Sequence, residues 1–230
     1  MTQLLESIEI ETAPNPTVSI IWMHGLGADG NDFVPMVREL DLTGMPPIRF
    51  VFPHAPMQPV TINNGYVMRA WYDVSLADLE GNSRRADEKG VRASQTAIGS
   101  LVEREIARGM ASENIVLAGF SQGGAIALQT GLRCPQRLAG IMALSTYLPL
   151  AESLPQEAAA ANAKTPIFMA HGTHDPVVPY AMGSGSRELL GKMGYNVEWH
   201  DYPMQHAVCL EELRDISAWL RKTICASPQV

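Results

Sequence analysis

Residues 115–128 read IVLAGFSQGGAIAL, and the switch in the middle of that string constrains the fold more than any other feature of the chain. Ile115 to Ala118 is a short apolar run of strand length. Ala125 to Leu128 reads as the buried side of a helix. Between them, Gly119-Phe120-Ser121-Gln122-Gly123-Gly124 fits a sharp turn from strand to helix. Such a turn strains its central residue and brings neighbouring backbone close, so the two positions flanking the Phe-Ser-Gln core suit glycine. Its product is a hydroxyl raised at the carboxyl end of a strand, above a helix N-terminus. The plainer reading is a glycine-rich turn in which the serine is incidental, and only the rest of the chain can separate the two.

The alternation recurs along the sequence. Strands are predicted at 17–23, 48–53, 114–119, 138–145, 166–171 and 196–202, several of them apolar nearly throughout. Strands that are apolar on both faces belong to parallel sheets covered on both sides. Helical patterns fill the spaces at 85–108, 122–133, 186–193 and 207–224. The second of these is stopped by Cys134-Pro135, because proline cannot continue the hydrogen-bond ladder. The order predicts an α/β protein: a mostly parallel central sheet with helices on both faces, joined by right-handed crossovers. Residues 1–230 show no internal repeat and no domain boundary, so one domain is expected. Two segments stand outside the alternation. Residues 54–82 are rich in Pro, Asn, Gly and aromatics, and loops of that length are often functional. Residues 150–165 read as an alanine-rich connector.

Composition narrows the class mainly by exclusion. The chain of 230 residues carries a formal charge of −7 and no long basic run, which argues against a sequence-independent grip on nucleic acid. No basic segment followed by an apolar stretch opens the chain, and runs such as 18–23 are far too short to span a bilayer. Cys134, Cys209 and Cys225 are odd in number and lack CxxC spacing, which fits reduced thiols better than a disulfide framework or a zinc site. A cytoplasmic location is the expectation.

A serine hydroxyl becomes a useful nucleophile when a base takes its proton. Where a nucleophile rides a strand-to-helix turn of this kind, the acid and then the histidine follow it in the chain. Of the six histidines, His24 and His54 come too early. His171 and His174 leave no acid at a later strand end before them, and His200 lies within a strand. His206 follows the last strand and precedes the last helix, in YPMQHAVC, where a loop could carry its ring to Ser121. Asp175, in GTHDPVVP, follows the strand at 166–171 and is stiffened by the proline after it. Asp201 is its rival, though it stands only five residues before His206. Attack on a carbonyl also needs donors for the developing oxyanion. The backbone N–H of Gln122 is one candidate; that of Leu26, in HGLGADG at 24–30, is the other. That glycine-rich loop lacks the phase of G-x-G-x-x-G and no Walker lysine follows it, so a nucleotide site is disfavoured.

Taken in order, HGLGADGNDF, MRAWYDV, GFSQGGAIAL, ALSTYLP, GTHDPVVP and MQHAVC resemble the phospholipase/carboxylesterase family of small α/β-hydrolases, from about residue 14 to 224. That family includes bacterial carboxylesterases, acyl-protein thioesterases and lysophospholipases. The resemblance implies the α/β-hydrolase fold, Ser121 as nucleophile, Asp175 as acid, His206 as base, and Leu26 and Gln122 as oxyanion donors. It further implies that residues 54–82 flank an acyl-binding groove, with Met68, Trp71 and Leu76 as apolar lining. Trp71-Tyr72-Asp73 has a second reading as a packed loop whose aspartate holds backbone. Homodimers are common in the family, although no surface stripe here compels one. One departure stands out: Gln205 occupies the place of the usual glycine before the histidine. Cys209 reads as packing. The function that follows is hydrolysis of carboxylic esters of small acyl substrates through an acyl-enzyme, with no metal or cofactor required. Thioesters on proteins or lysophospholipids are the alternative substrates, and a non-catalytic binding protein on the same fold is the remaining one.

Overall fold

The computed structural model describes residues 4–79 and 87–225. The first two residues of the helix expected at 85–108 and the last three of the 54–82 segment lie outside the described residues. In chain order the elements are β1 (Ser7–Glu11), β2 (Val18–Met23), β3 (Ile48–Pro53), β4 (Met57–Val60), β5 (Tyr66–Arg69), α1 (Leu76–Leu79), α2 (Glu88–Ala107), β6 (Ile115–Phe120), α3 (Gln122–Arg133), β7 (Gly140–Leu144), α4 (Leu154–Glu157), β8 (Ile167–Gly172), α5 (Tyr180–Lys192), β9 (Val197–Tyr202) and α6 (Leu210–Cys225). Seven strands form one sheet in the order β1-β3-β2-β6-β7-β8-β9. Every pairing from β3 to β9 is parallel, and only β1, on the edge, runs antiparallel against β3.

Alternation along these strands divides the core in two. Ile21, Met23, Ile115, Leu117, Ile141, Ala143, Ile167 and Met169 face one way, beneath Val91 and Ile98 of α2, Ala125 and Leu128 of α3 and Leu190 of α5. Ile20, Trp22, Val116, Ala118, Met142, Leu144, Phe168 and Ala170 face the other, beneath Leu213, Ile216 and Leu220 of α6 and the 33–45 segment. The strands are apolar nearly throughout because both faces are covered, which is the mostly parallel α/β layering read from the sequence. Asp87 caps α2 by accepting the Gly90 N–H at 2.9 Å.

The structure differs from the sequence reading at four places. Ser7-Ile8-Glu9-Ile10-Glu11 forms an edge strand, with an alternation that suits one covered and one wet face. Residues 54–82 hold a small hairpin, β4 with β5, joined through Asn64-Gly65. Helix α5 starts at Tyr180 rather than 186, running through Gly183 and Gly185. Gly183 is there because a side chain would meet the buried His171 ring: a Cβ would lie 2.3 Å from its Nδ1. At the other end, α6 begins at Leu210 and leaves 207–209 in the loop that carries His206. Among the described residues no helix is long and apolar enough to cross a membrane.

One buried group in α6 works against this fold. Glu212 is fully buried, and neither carboxyl oxygen has a hydrogen-bond partner of ordinary geometry among the described residues. Burial pushes its carboxyl up to about 8; the backbone N–H of Cys209 offsets part of this, and the charge of Asp215 adds to it. The unfolded chain loses that proton near pH ~4.3, whereas the folded chain keeps it to about 8. Stability from this group is therefore greatest below the lower value and falls as pH rises through the window between them. Glu212→Gln keeps the shape and removes the titration. We expect its Tm to match wild type near pH 4 and exceed it by ~5 °C or more at pH 8, measured by thermal unfolding. An equal or lower Tm at pH 8 would contradict this account.

Candidate active site

Strands β2, β6 and β8 end at one rim of the sheet, and a loop from each meets there. Ser121 links β6 to α3 with φ 54° and ψ −124°, far from any relaxed region for a residue with a side chain. Several contacts hold it in place. Its N–H donates to the Leu144 carbonyl at 2.8 Å, and its carbonyl accepts from the Thr146 hydroxyl at 2.7 Å and the Ala125 N–H at 3.1 Å. The flanking glycines are needed for close approach. A Cβ on Gly119 would lie 2.3 Å from the Gly123 backbone, and one on Gly123 would lie 2.3 Å from the Met23 carbonyl oxygen. Local strain of ~1–3 kcal/mol is thus locked in by backbone on both sides.

His206 sits in the loop after β9, with its ring tilted against Phe120 at 4.7 Å between centroids. Its Nε2 accepts from the Ser121 hydroxyl at 2.9 Å, and its Nδ1–H donates to Asp175 Oδ2 at 2.7 Å. The Asp175 side chain has no solvent exposure. Its Oδ1 accepts the N–H groups of Val177 and Val178 at 2.8 and 2.9 Å. Burial raises its pKa, but the His206 hydrogen bond and those two N–H groups outweigh it, and the carboxyl ends below its usual range. A second buried imidazole lies beside it. His171 Nε2–H donates to the Val178 carbonyl at 2.9 Å and stands 3.6 Å from Asp175 Oδ2. Burial lowers the His171 pKa more than the Val178 carbonyl and Asp175 raise it, which keeps the ring neutral. Sequence reasoning set His171 aside as a base, and its supporting place behind the acid was not legible from spacing.

The rival acid is engaged elsewhere. Asp201 is exposed and accepts from the Tyr180 hydroxyl at 2.8 Å. His200 stacks on Phe168 at 5.0 Å on the other face of the sheet. Gln205 is exposed beside His206 and is not among the positive-φ residues, so no glycine-like backbone is required there.

Leu26 leaves β2 at the same rim. The Gly27 N–H donates to the Arg69 carbonyl at 2.9 Å and the Ala28 N–H to the Gly25 carbonyl at 3.3 Å. Among the described residues neither the Leu26 nor the Gln122 N–H has a protein acceptor. The expected lining residues divide. Met68 is half-buried next to this loop; its sulfur lies 3.5 Å from where a Cβ on Gly27 would stand. Trp71 is only 1% exposed, so it packs under the loop and does not present a wall to an acyl chain. Its indole N–H donates to the His24 carbonyl at 2.8 Å. Asp73 accepts the Thr61 N–H at 2.7 Å, in keeping with the packed-loop reading of 71–73. Leu76 is 65% exposed on α1. Among the described residues no three His, Cys, Asp or Glu side chains converge as metal ligands would.

A hydroxyl, an imidazole and a carboxylate in one hydrogen-bonded line, at the carboxyl edge of a mostly parallel sheet, define the arrangement of an α/β-hydrolase. Residues 6–224 match the Phospholipase/Carboxylesterase family, and the chain belongs to it. The acyl-protein thioesterase 1 of Neurospora crassa is 43% identical over 216 residues, covering 90% of this chain and 87% of that protein. Among solved structures, Arabidopsis thaliana SOBER1 superposes with a TM-score of 0.85 at 33% identity, covering 90% of this chain and 99% of that one. Zea mays acyl-protein thioesterase 2 superposes with a TM-score of 0.82 at 27% identity, over 96% of this chain and 99% of that one. Hydrolase chemistry follows from membership; the substrate does not.

The two candidate acids are separable by exchange for the amide. Asp175→Asn should lower kcat by ~10³–10⁴, because an amide no longer fixes the imidazole tautomer or favours its charged form. Asp201→Asn should leave steady-state kinetics within about twofold of wild type. The reverse pattern would move the acid to Asp201.

Proposed function

We propose that the protein is a serine hydrolase that cleaves acyl thioesters through an acyl-enzyme on Ser121. The observation that carries the serine mechanism is the hydrogen-bonded line from Ser121 through His206 to Asp175, at 2.9 and 2.7 Å. On this reading His206 Nε2 takes the hydroxyl proton as Oγ attacks the acyl carbon, and Asp175 steadies the imidazolium that forms. The carbonyl oxygen becomes an oxyanion held by the N–H groups of Leu26 and Gln122, each such donor contributing ~2.7–4 kcal/mol to the barrier reduction. Collapse of that intermediate breaks the bond to sulfur, which takes the proton from His206 and leaves as the thiol. Water, deprotonated by the same imidazole, then attacks the acyl-serine and releases the carboxylic acid.

Thioesters are preferred to simple carboxylic esters, the first expectation from the sequence, because acyl-protein thioesterases are similar across nearly the whole chain. Hydrolysis of oxyesters, including lysophospholipids, is the second reading, favoured by the description of the family itself. The binding-protein alternative is disfavoured, since no member of the hydrogen-bonded line is missing.

Two measurements test the proposal. A fluorophosphonate probe should label wild-type protein and fail on Ser121→Ala; equal labelling of both would remove Ser121 from the mechanism. A matched pair of substrates, one acyl thioester and one oxyester of the same chain length, should give a kcat/KM ratio of at least ~10 in favour of the thioester. A ratio below one would return the assignment to carboxylesterase.

A further inference from the structure

The two proposed oxyanion donors come from separate stretches of chain, Leu26 from the loop after β2 and Gln122 from the first residue of α3. Such donors accelerate a reaction only if their spacing is set before the charge develops. Whatever fixes the two stretches relative to each other therefore governs the rate. We infer that the side-chain amide of Gln122, distinct from its backbone N–H, is the positioning group that does so, by bracing residues 71–72 between the elbow and the oxyanion loop. The inference rests on the hydrolase reading above.

The amide is used at both ends. Gln122 Oε1 accepts the Trp71 N–H at 2.9 Å, and Nε2 donates to the Tyr72 carbonyl at 2.7 Å. Residues held in this way reach back to the loop. The Trp71 indole N–H donates to the His24 carbonyl at 2.8 Å, and the Arg69 carbonyl accepts the Gly27 N–H at 2.9 Å. Leu26 lies between those two anchors. The Ser94 hydroxyl donates to the Trp71 carbonyl and fixes the segment from below.

The His24 ring completes the brace. Its Nδ1–H donates to the Gly25 carbonyl at 2.7 Å, and its Nε2 accepts the Ala55 N–H at 3.1 Å. Both bonds require the neutral ring with its proton on Nδ1. Burial, set against the Gly25 carbonyl, lowers the His24 pKa to about 4 and keeps the ring in that form.

Neither helix propensity nor the chemistry calls for glutamine at this position. The first helical residue tolerates many side chains, and the oxyanion donor is backbone. A buried amide with both ends paired is accounted for by what it holds. Removing it leaves the buried Trp71 N–H and Tyr72 carbonyl without partners, a state that relaxes only if 71–72 shift, and Leu26 moves with them.

The experiment compares wild type with Gln122→Met, of similar volume but unable to pair, and Trp71→Phe, which removes the indole N–H together with part of the buried ring. Steady-state kinetics on an acyl thioester are read beside the inhibition constant of an acyl trifluoromethyl ketone, whose adduct with Ser121 carries an oxyanion. Gln122→Met should lose about 10²-fold in kcat with KM within twofold, and ketone affinity should fall by a comparable factor. Trp71→Phe should show the same pattern at about 3–10-fold. A folded Gln122→Met with kcat within threefold of wild type, or with only KM changed, overturns the inference. Should that variant fail to unfold cooperatively, Trp71→Phe with unchanged kcat and ketone affinity overturns it instead. A wild-type enzyme that forms no ketone adduct overturns the serine-hydrolase reading itself, an outcome distinct from any behaviour of the variants.

Discussion

The approach of two backbones at the top of the sheet is the constraint on which the site depends. Gly123 packs so closely on the end of β2 that a Cβ there would lie 2.3 Å from the Met23 carbonyl oxygen. That contact brings the start of α3 against the strand from which the Leu26 loop departs. It also leaves Ser121 no relaxed conformation, and the bonds to Leu144 and Thr146 hold it in the strained one. The order of β2, β6, β7 and β8 in the sheet then places the remaining loops. The loop after β8 sets Asp175 behind the ring of His206, and neutral His171 lies beneath the acid.

The electrostatics follow from burial with pairing. Asp175 is enclosed yet ionised, because a histidine and two backbone N–H groups replace the water it lost. His24, with both ring nitrogens paired to backbone, and His171, with only Nε2 paired, are enclosed, and both stay neutral. Glu212 is enclosed without such partners and keeps its proton to about 8. The same desolvation gives three outcomes, decided by what faces each group.

Much of this was legible in the residues. The elbow could be read because the chemistry needs glycine on both sides of a raised serine, and few structural needs produce that spacing beside an apolar run. The five inner strands could be read because two covered faces favour apolar residues, and β9, on the far edge, by its place in the alternation. Asp175 and His206 followed from chain order and strand ends. Other features were hidden for physical reasons. An aromatic in a long loop does not reveal whether its ring faces a groove or the core, and Trp71 turned out to face the core. Gly183 and Gly185 resemble a helix break until the ring of His171 is seen beneath the first of them. The bracing contacts of the Gln122 amide are not legible in the chain, because no periodicity links residue 122 to residues 71 and 72.

Intact-mass and peptide mapping of protein quenched at low pH during turnover of an acyl thioester test the covalent step directly. The account predicts a single acyl adduct on the peptide containing Ser121, forming and decaying no more slowly than kcat. Turnover with no adduct at any time, or an adduct on another residue that decays at the rate of turnover, would contradict it.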